Sequence, residues 1–255
     1  MIKENLKNLA YSFLNLINGG KGIVREINGM KVRFPAKWSR YYESDYEAEN
    51  YNFLRDYVKP GMHVIDIGAH IGLFSATCST LVGPKGKIVS FEPTPGTFNV
   101  LRETLTLNQC NNVQPVQAAV SNRTGTDTFY ISHVAACNSN SLVKNKEGDE
   151  VTAYDVKLVT IDSIITDNLL QPSLIKIDAE GAELDVLKGG TTTFATYKPV
   201  LILGLHPDFI RLKGDSLEEI WDLLVANKYE IRKEKKVMMK TDFCNQPLIF
   251  DVHCF

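Results

Sequence analysis

The sequence predicts a doubly wound α/β fold, in which helices cover both faces of a mainly parallel sheet. Short apolar runs typical of strands alternate with segments of helical periodicity between residues 46 and 227. The runs lie at residues 63–67, 87–91, 113–117, 174–177 and 200–203. Strands separated by helices at this rhythm require right-handed crossovers, which place them parallel in one sheet.

Capping and breaking residues mark the ends of the predicted helices. Ser216 and Glu219 form a capping box that opens a helix reaching about residue 227. Proline or glycine marks four further helix boundaries, at residues 60–61, 83–84, 94–95 and 189–190. Two late runs, residues 229–235 and 247–252, are predicted to be the closing edge strands.

Two regions depart from this rhythm. Residues 1–45 predict a small cap, with an amphipathic helix that packs on its own domain or joins a homo-oligomer, and a hairpin turning at Asn28-Gly29. Within the main domain, residues 46–255, an insertion at about 121–173 contains two alternating runs. These runs predict a β-hairpin over the mouth of the site.

Composition narrows the partners and the compartment. Lys and Arg number 28 against 30 for Asp and Glu, whereas proteins that bind a phosphate backbone usually carry a basic excess. Nucleic acid is therefore a disfavoured partner. The five cysteines are scattered without a C-x-x-C pair, so we expect reduced thiols in the cytoplasm and no metal site. No segment has the apolar length of a transmembrane helix.

The main candidate for a ligand site is the turn after the first strand, which reads IDIGAHIG over residues 65–72. In open α/β sheets, ligands bind outside the carboxyl ends of the strands. Gly68 is expected to let the backbone approach a ligand, and Gly72 to let helix and strand pack closely. Ala69 and His70 lie between them in the turn.

Charge separates the two cofactor classes that use such a turn. A dinucleotide site normally reads G-x-G-x-x-G and points backbone amides at a pyrophosphate. Here the spacing is G-x-x-x-G, and the Asp66 carboxylate just before it would repel phosphate. S-adenosylmethionine has no phosphate but carries a sulfonium and an ammonium, which an acid favours. The turn therefore favours S-adenosylmethionine, and an NAD-dependent dehydrogenase stays as a less favoured alternative.

Residues after the other strands extend this candidate site. Glu92 ends the second strand, where ribose hydroxyls need an acceptor, and Ala118 follows the third strand among small residues suited to adenine. Lys176 and Asp178 share one side of the fourth strand because side chains alternate with a period of two. Asp178 ends that strand, beside the first strand and the expected position of the transferable methyl. His206 follows the fifth strand. Glu180 and Glu183 lie at the start of the helix after the fourth strand, where negative charge is stabilised, and Glu183 is either such a helix-start charge or a site residue.

Four segments together resemble the FkbM family of methyltransferases, and the resemblance covers roughly residues 45–205. They are residues 65–72, 91–93, 160–163 and the most diagnostic, KIDAEGAE at 176–183. The resemblance implies a seven-stranded, Rossmann-like class I methyltransferase sheet with S-adenosylmethionine as donor. It also implies methylation of a hydroxyl on a small molecule, a sugar or a secondary metabolite.

The resemblance also assigns cofactor contacts. It implies that Asp66, Gly68, Gly72 and Glu92 contact the cofactor, while Glu47 matches the family's acid near the methionine end. Our reading of the residues adds Ala69, His70, Ala118 and Asp178 to this set. Two positions depart from the family pattern, since His70 replaces a common Asn and Gly204 replaces an acid that often ends the fifth strand.

A hydroxyl acceptor requires a general base within hydrogen-bonding reach. The candidates for this base are Asp178 and His206, with Lys176 stabilising negative charge or fixing Asp178. An RNA-directed methyltransferase that docks through the basic run at residues 232–236 remains an alternative. The sequence does not name the acceptor.

Overall fold

The computed structural model describes residue 11 and residues 17–132 and 151–255. The strands are β1 (Ile23–Ile27), β2 (Met30–Phe34), β3 (His63–Ile67), β4 (Lys87–Phe91), β5 (Val113–Val116), β6 (Ala119–Val120), β7 (Gly125–Ser132), β8 (Val151–Val159), β9 (Leu174–Asp178), β10 (Val200–Leu205), β11 (Ile231–Lys233), β12 (Lys236–Val237) and β13 (Phe250–Cys254). The helices are α1 (Ala48–Tyr57), α2 (Leu73–Val82), α3 (Pro95–Leu107), α4 (Ile161–Asn168), α5 (Glu183–Lys188), α6 (Thr191–Tyr197), α7 (Pro207–Lys213), α8 (Leu217–Ala226) and α9 (Lys240–Cys244).

The main sheet has the strand order β12-β11-β13-β10-β9-β3-β4-β5. The strands from β10 to β5 are parallel, and β13 runs antiparallel to both β10 and β11. Seven strands form the body of the sheet, to which the two-residue β12 adds an edge by a short hairpin. This arrangement confirms the seven-stranded, Rossmann-like prediction.

The prediction that residues 247–252 form an edge strand was wrong. The strand there, β13, lies inside the sheet between β10 and β11, and its bounds shift to Phe250–Cys254. Val252 and Cys254 pack into the main core, and His253 on the opposite face is also buried. β13 is an interior strand because it pairs with β10 on one side and with β11 on the other, and an apolar pattern in the sequence does not reveal how many partner strands it has.

Alternate residues of the central strands enter two separate cores, as a doubly wound sheet requires. Ile65 and Ile175 pack with apolar residues of α4, α5, α6 and α8. Val64 and Leu174, one position earlier on the same strands, pack with residues of α1 and α2. Because neighbouring strand residues point to opposite faces, both faces are covered.

The predicted hairpin of the cap is present in the form its turn residues require. β1 and β2 pair through Ile27 and Met30, and Asn28 and Gly29 take φ angles of 48° and 78° between them. The buried side chain of Phe34 belongs to a cluster that includes residues of α2 and α3. Most of the predicted amphipathic helix, and with it the proposed subunit contact, falls on residues 1–10 and 12–16, outside the described residues.

The insertion contains the predicted hairpin, formed by antiparallel pairing of β7 with β8, while β6 adds to β8 in parallel. The Tyr154 hydroxyl donates to the Pro93 carbonyl oxygen at 3.1 Å, which ties the hairpin to the segment after β4. A helix that we did not predict, α4, lies inside the range 121–173 and buries Ile161 and Ile164 in the main core. Residues 133–150 between the strands are outside the described part of the chain.

Candidate active site

A cavity of about 580 Å³ opens at the carboxyl ends of the central strands. It lies where the strand order reverses, with β4 on one side of β3 and β9 on the other, which is the usual ligand position in open α/β sheets. The predicted site residues on its wall are Glu47, Gly68, Ala69, His70, Glu92, Ala118, Lys176, Asp178 and His206. Asp66 and Gly72 lie behind this wall.

The two glycines of the turn are required for reasons other than the ones expected. Gly68 has a φ of +75°, and a Cβ there would lie 1.9 Å from the carbonyl oxygen of Asp178. The space freed by Gly68 is therefore taken by the end of β9 rather than by a ligand. A Cβ on Gly72 would lie 2.5 Å from Cδ1 of Leu101, so this glycine allows contact with α3 rather than with its own strand.

Asp66 is completely buried beneath the turn. The Ser75 hydroxyl donates to its Oδ2 at 2.5 Å, while its Oδ1, which accepts no hydrogen bond, lies 4.0 Å from Nζ of Lys176. Burial raises the pKa of Asp66, and Lys176 and Ser75 oppose that rise. Asp66 therefore acts on the cavity through its charge and through Lys176.

Glu92 presents an oriented carboxylate at the end of β4. Its Oε2 accepts from the backbone N–H of His70 at 3.0 Å and its Oε1 from that of Thr94 at 2.9 Å. Burial raises the pKa of Glu92, and the hydrogen bonds from Thr94 and His70 oppose the rise. Each carboxylate oxygen can accept a second hydrogen bond, so the pair can still receive ribose hydroxyls.

His70 links the turn to the aromatic stretch of the N-terminal region. Its backbone has a φ of 50°, a left-handed conformation that Asn adopts more readily than most residues. Its Nδ1 shares a hydrogen bond of 3.0 Å with the Tyr42 hydroxyl, and the Trp38 ring packs edge-on at 5.7 Å. Burial, with the nearby charge of Lys176, lowers the pKa of His70 to about 4, so the ring is neutral at pH 7.

The three predicted catalytic side chains lie together on the opposite wall. Nζ of Lys176 is 3.0 Å from Oδ2 of Asp178, and Nε2 of His206 is 3.7 Å from Oδ1. The Asp178 side chain is 34% exposed toward the cavity, whereas that of Lys176 is 8% exposed. Burial opposes the charge of Asp178, but the two cations outweigh it and lower its pKa. Asp178 is thus held ionised at the cavity wall.

The charge state of His206 depends on Glu183, the first residue of α5. Nδ1 of His206 is 2.9 Å from Oε1 of Glu183, which is fully buried and also accepts from the Gly181 N–H at 3.0 Å. Burial opposes a charge on His206, but Glu183 and Asp178 outweigh it and raise the pKa of His206 to about 9. His206 is therefore an imidazolium at neutral pH. Glu183, which the sequence left open as a simple helix-start charge, is the anchor of that imidazolium.

Two wall residues were missed by the sequence reasoning. Glu180 was read as a helix-start charge, but α5 begins only at Glu183, and Glu180 lies in the preceding turn with a φ of 46°. Its Oε2 is buried without a hydrogen-bond partner, and burial and the charge of Asp178 raise its pKa to about 8. Asp251 was missed because its strand was placed at the edge. The KIDAEGAE segment could have revealed Glu180, whereas no local signal identifies Asp251.

The fold and this cavity define the class of the protein. Three features of the cavity fit a nucleoside. They are the glycine turn where the strand order reverses, the oriented carboxylate at the end of β4, and the small apolar wall at Ala118 and Ala119. The buried carboxylate of Asp66, whose Oδ1 accepts no hydrogen bond and lies 4.0 Å from Nζ of Lys176, fits a cationic rather than an anionic ligand beyond the turn. The protein is a methyltransferase that depends on S-adenosylmethionine.

Comparison with known proteins gives the family. The model of the methyltransferase FkbM domain matches residues 66–231, and the chain belongs to this family. Hexuronic acid methyltransferase AglP of Haloferax volcanii is 26% identical over 186 residues, covering 71% of this chain and 73% of the relative. Methyltransferase sdnD of Sordaria araneosa is 30% identical over 156 residues, covering 49% of this chain and 59% of the relative.

A solved FkbM methyltransferase from Methylobacillus flagellatus KT has 16% sequence identity and a TM-score of 0.49. The match covers 83% of this chain and 52% of that one, so the present chain spans about half the length of that relative. The family membership excludes the dehydrogenase alternative. Within the described residues, no helix is both long and apolar enough to cross a membrane.

Proposed function

We propose that this protein transfers the methyl group of S-adenosylmethionine to a hydroxyl oxygen of a small molecule, a sugar or a secondary metabolite. The observation that carries this proposal is the ionised carboxylate of Asp178, which faces the cavity while Lys176 and His206 hold it from behind. The relative named as a hexuronic acid methyltransferase supports a sugar as the acceptor.

The donor is proposed to lie along the β3 and β4 side of the cavity. Glu92 would accept the ribose hydroxyls, Ala118 would contact the adenine, and Gly68, Ala69 and His70 would line the bound nucleoside. Glu47, on the cavity wall, would attract the ammonium of the methionine part. Asp66 and Gly72 would act from behind the wall, through charge and packing. The donor, when bound, supplies an electrophilic methyl carbon.

Asp178 is the proposed proton acceptor. It accepts a hydrogen bond from the acceptor hydroxyl and so aims the oxygen at the methyl carbon. The hydroxyl oxygen would take the methyl group as the bond from that carbon to the donor sulfur breaks and S-adenosylhomocysteine leaves, and the hydroxyl proton would pass to the Asp178 carboxylate. Of the two bases that the sequence left open, His206 is already protonated at neutral pH because its pKa is about 9. Its role, with Lys176, is to orient Asp178 and keep it ionised.

Two measurements test this proposal. Calorimetric titration with S-adenosylhomocysteine checks the donor site, and mass spectrometry of products from a panel of glycosides locates the methyl group. Asp178→Asn should lower kcat at saturating donor by about a hundredfold or more, the usual contribution of general base catalysis. The control Asp208→Asn, at an exposed carboxylate near the site, should leave kcat unchanged.

A loss smaller than about tenfold, or about 1.4 kcal/mol of barrier, would remove Asp178 as the base. The proposed function itself would be wrong if the methyl group were transferred to nitrogen, or to none of the hydroxyl compounds.

An RNA acceptor has less support than a small molecule. In the basic run at residues 232–236, Arg232 is paired with Glu230 at 2.5 Å and Lys235 lies 3.8 Å from Asp56. These acids offset the charges that an RNA backbone would need.

We also propose that the protein works in the cytoplasm. Four of its five cysteines fall in the described part of the chain, and all four are free thiols, namely Cys78, Cys110, Cys244 and Cys254. Free thiols support a reducing compartment.

A further inference from the structure

Three residues from three adjacent strands form a row at the acceptor side of the cavity. Gly204 on β10 is paired in register with Asp178 on β9 and with Asp251 on β13. Residues in register across a sheet point to the same face, so the two carboxylates flank a position that has no side chain. All three residues line the cavity.

The two carboxylates approach the same empty space above Gly204. A Cβ at that position would lie 3.1 Å from Oδ1 of Asp251 and 3.5 Å from Oδ1 of Asp178. No left-handed φ makes glycine necessary for the backbone at this point of β10. The absence of a side chain therefore matters for the space that it leaves between two acceptor oxygens.

A buried polar network holds Asp251 in this position. Nδ2 of Asn50 donates to Oδ2 of Asp251 at 3.0 Å and reaches Oε2 of Glu47 at 3.4 Å. The Oδ1 of Asn50 pairs with Nε2 of His253 at 3.0 Å, and burial lowers the pKa of His253 to about 4. The neutral ring donates that hydrogen bond, which fixes the Asn50 amide with its N–H groups toward the carboxylates. Asn50 is 2% exposed and His253 is 5% exposed, so the groups that orient Asp251 are buried and held in place.

The charges of the row are only half compensated. Lys176 and His206 both lie within ion-pair distance of Asp178, whereas within the described residues no cation lies that close to Asp251. Glu47, on the other side of Asn50, adds a further negative charge. Groups that enter the space above Gly204 therefore meet acceptors and negative charge, and hydrogen-bond donors are favoured there over anions.

We propose that Asp251, Gly204 and Asp178 form the acceptor subsite. It takes two neighbouring hydrogen-bond donors of the acceptor, the reacting hydroxyl on Asp178 and a second hydroxyl or an ammonium on Asp251, and it excludes a carboxylate from the second position. Asp251 is thus a specificity-determining residue, and Gly204 provides the space that lets both carboxylates reach one small molecule. This inference rests on the proposed O-methylation, and it predicts that this chain takes a neutral or cationic sugar in place of the hexuronic acid in the name of its relative.

The test measures binding of three probe sugars to protein saturated with S-adenosylhomocysteine. The probes are methyl glucoside, glucosamine and glucuronate, which present a hydroxyl, an ammonium and a carboxylate. We expect glucuronate to bind at least about tenfold more weakly than methyl glucoside. A tighter complex with glucosamine would identify the second donor as an ammonium, and tighter binding of methyl glucoside would identify it as a hydroxyl.

Two variants assign the effect to this row. Asp251→Asn keeps the side-chain shape and should reduce the preference for methyl glucoside over glucuronate by about tenfold. Gly204→Ala fills the space with one methyl group and should weaken methyl glucoside by about tenfold. Both variants should bind S-adenosylhomocysteine within about threefold of the parent, which shows that they fold.

The matched controls are Asp222→Asn, at an exposed ion pair with Lys240, and Gly96→Ala, where an added Cβ meets nothing within 4 Å. Equal affinity for glucuronate and methyl glucoside in the parent protein would overturn the proposal. So would an unchanged preference in Asp251→Asn, or no binding of any probe sugar. If hydroxyl methylation is found while both variants behave as the parent, the subsite falls and the proposed function stands.

Discussion

Glu180 gives the sharpest test of the electrostatics of the cavity. Its pKa is raised from the usual 4.5 to about 8, first by burial and then by the charge of Asp178. A carboxyl whose pKa rises on folding binds its proton more tightly in the folded state. Its stabilising contribution is complete below the unfolded pKa and is lost as the pH rises from about 4.5 to about 8.

The magnitude follows from the difference between the two pKa values. At about 1.4 kcal/mol per pH unit, the difference between about 8 and 4.5 corresponds to about 5 kcal/mol. Because the side chain faces an open cavity, solvent screening reduces this figure, and we expect about 2 kcal/mol. The variant Glu180→Gln keeps the shape but cannot ionise. It should therefore be more stable than the parent above pH 8 and about equally stable near pH 4.5.

Urea unfolding at several values between pH 4.5 and pH 8.5 measures this difference. Glu103→Gln, at an exposed glutamate of α3, is the matched control and should show no such trend. A stability difference between Glu180→Gln and the parent that stays flat across this range would refute the reasoning, because burial would then not oppose the charge of Glu180.

Three further predictions concern the turn, the imidazolium and a helix cap. Gly68→Ala should lower the free energy of unfolding by about 3 kcal/mol or more, because its Cβ would lie 1.9 Å from a carbonyl oxygen. The control Gly61→Ala, at a φ of +87° in open space, should lower it by only about 1 kcal/mol. Equal losses of the two variants in urea unfolding would contradict the contact at Gly68. In an NMR titration, His206 should stay charged until about pH 9, and a midpoint near 6.5 would disprove the imidazolium. Asp162→Ala should lower the free energy of unfolding by about 1–2 kcal/mol at pH 7, because this carboxylate accepts a hydrogen bond from the Thr193 N–H at 2.8 Å at the start of α6. An unchanged free energy of unfolding would show that this helix cap contributes nothing to stability.

The long central elements could be predicted from the sequence because their signals are local. The predicted bounds of β3 and β4 agree with the structure residue for residue, and α2 ends at the predicted boundary of residues 83–84. Each is an apolar run with the period of its element, ended by proline, glycine or a charged residue. The short helices α4, α6 and α7 escaped prediction because seven or eight residues contain only about two turns, too few to establish a period.

The position of β13 could not be predicted for a different reason. Its apolar pattern indicates a strand, but the pattern does not say which strands it pairs with. The pairing with β10 brings Asp251 beside Gly204, although the two residues are far apart in the chain. β10 lacks the acid that often ends the corresponding strand in the family, and the neighbouring strand β13 supplies the Asp251 carboxylate beside that position. Sequence reasoning could report only that Gly204 has no side chain.

The sequence by itself determined the fold class, the ligand turn and the identity of the polar residues at the strand ends, because strand ends converge at one edge of a parallel sheet. Only the tertiary structure decided their charge states. His206 is an imidazolium, Glu180 holds its proton at neutral pH and Asp178 is ionised because of burial and of charges a few ångströms away. Coulomb energy and desolvation depend on distance in space, and distance along the chain does not determine them.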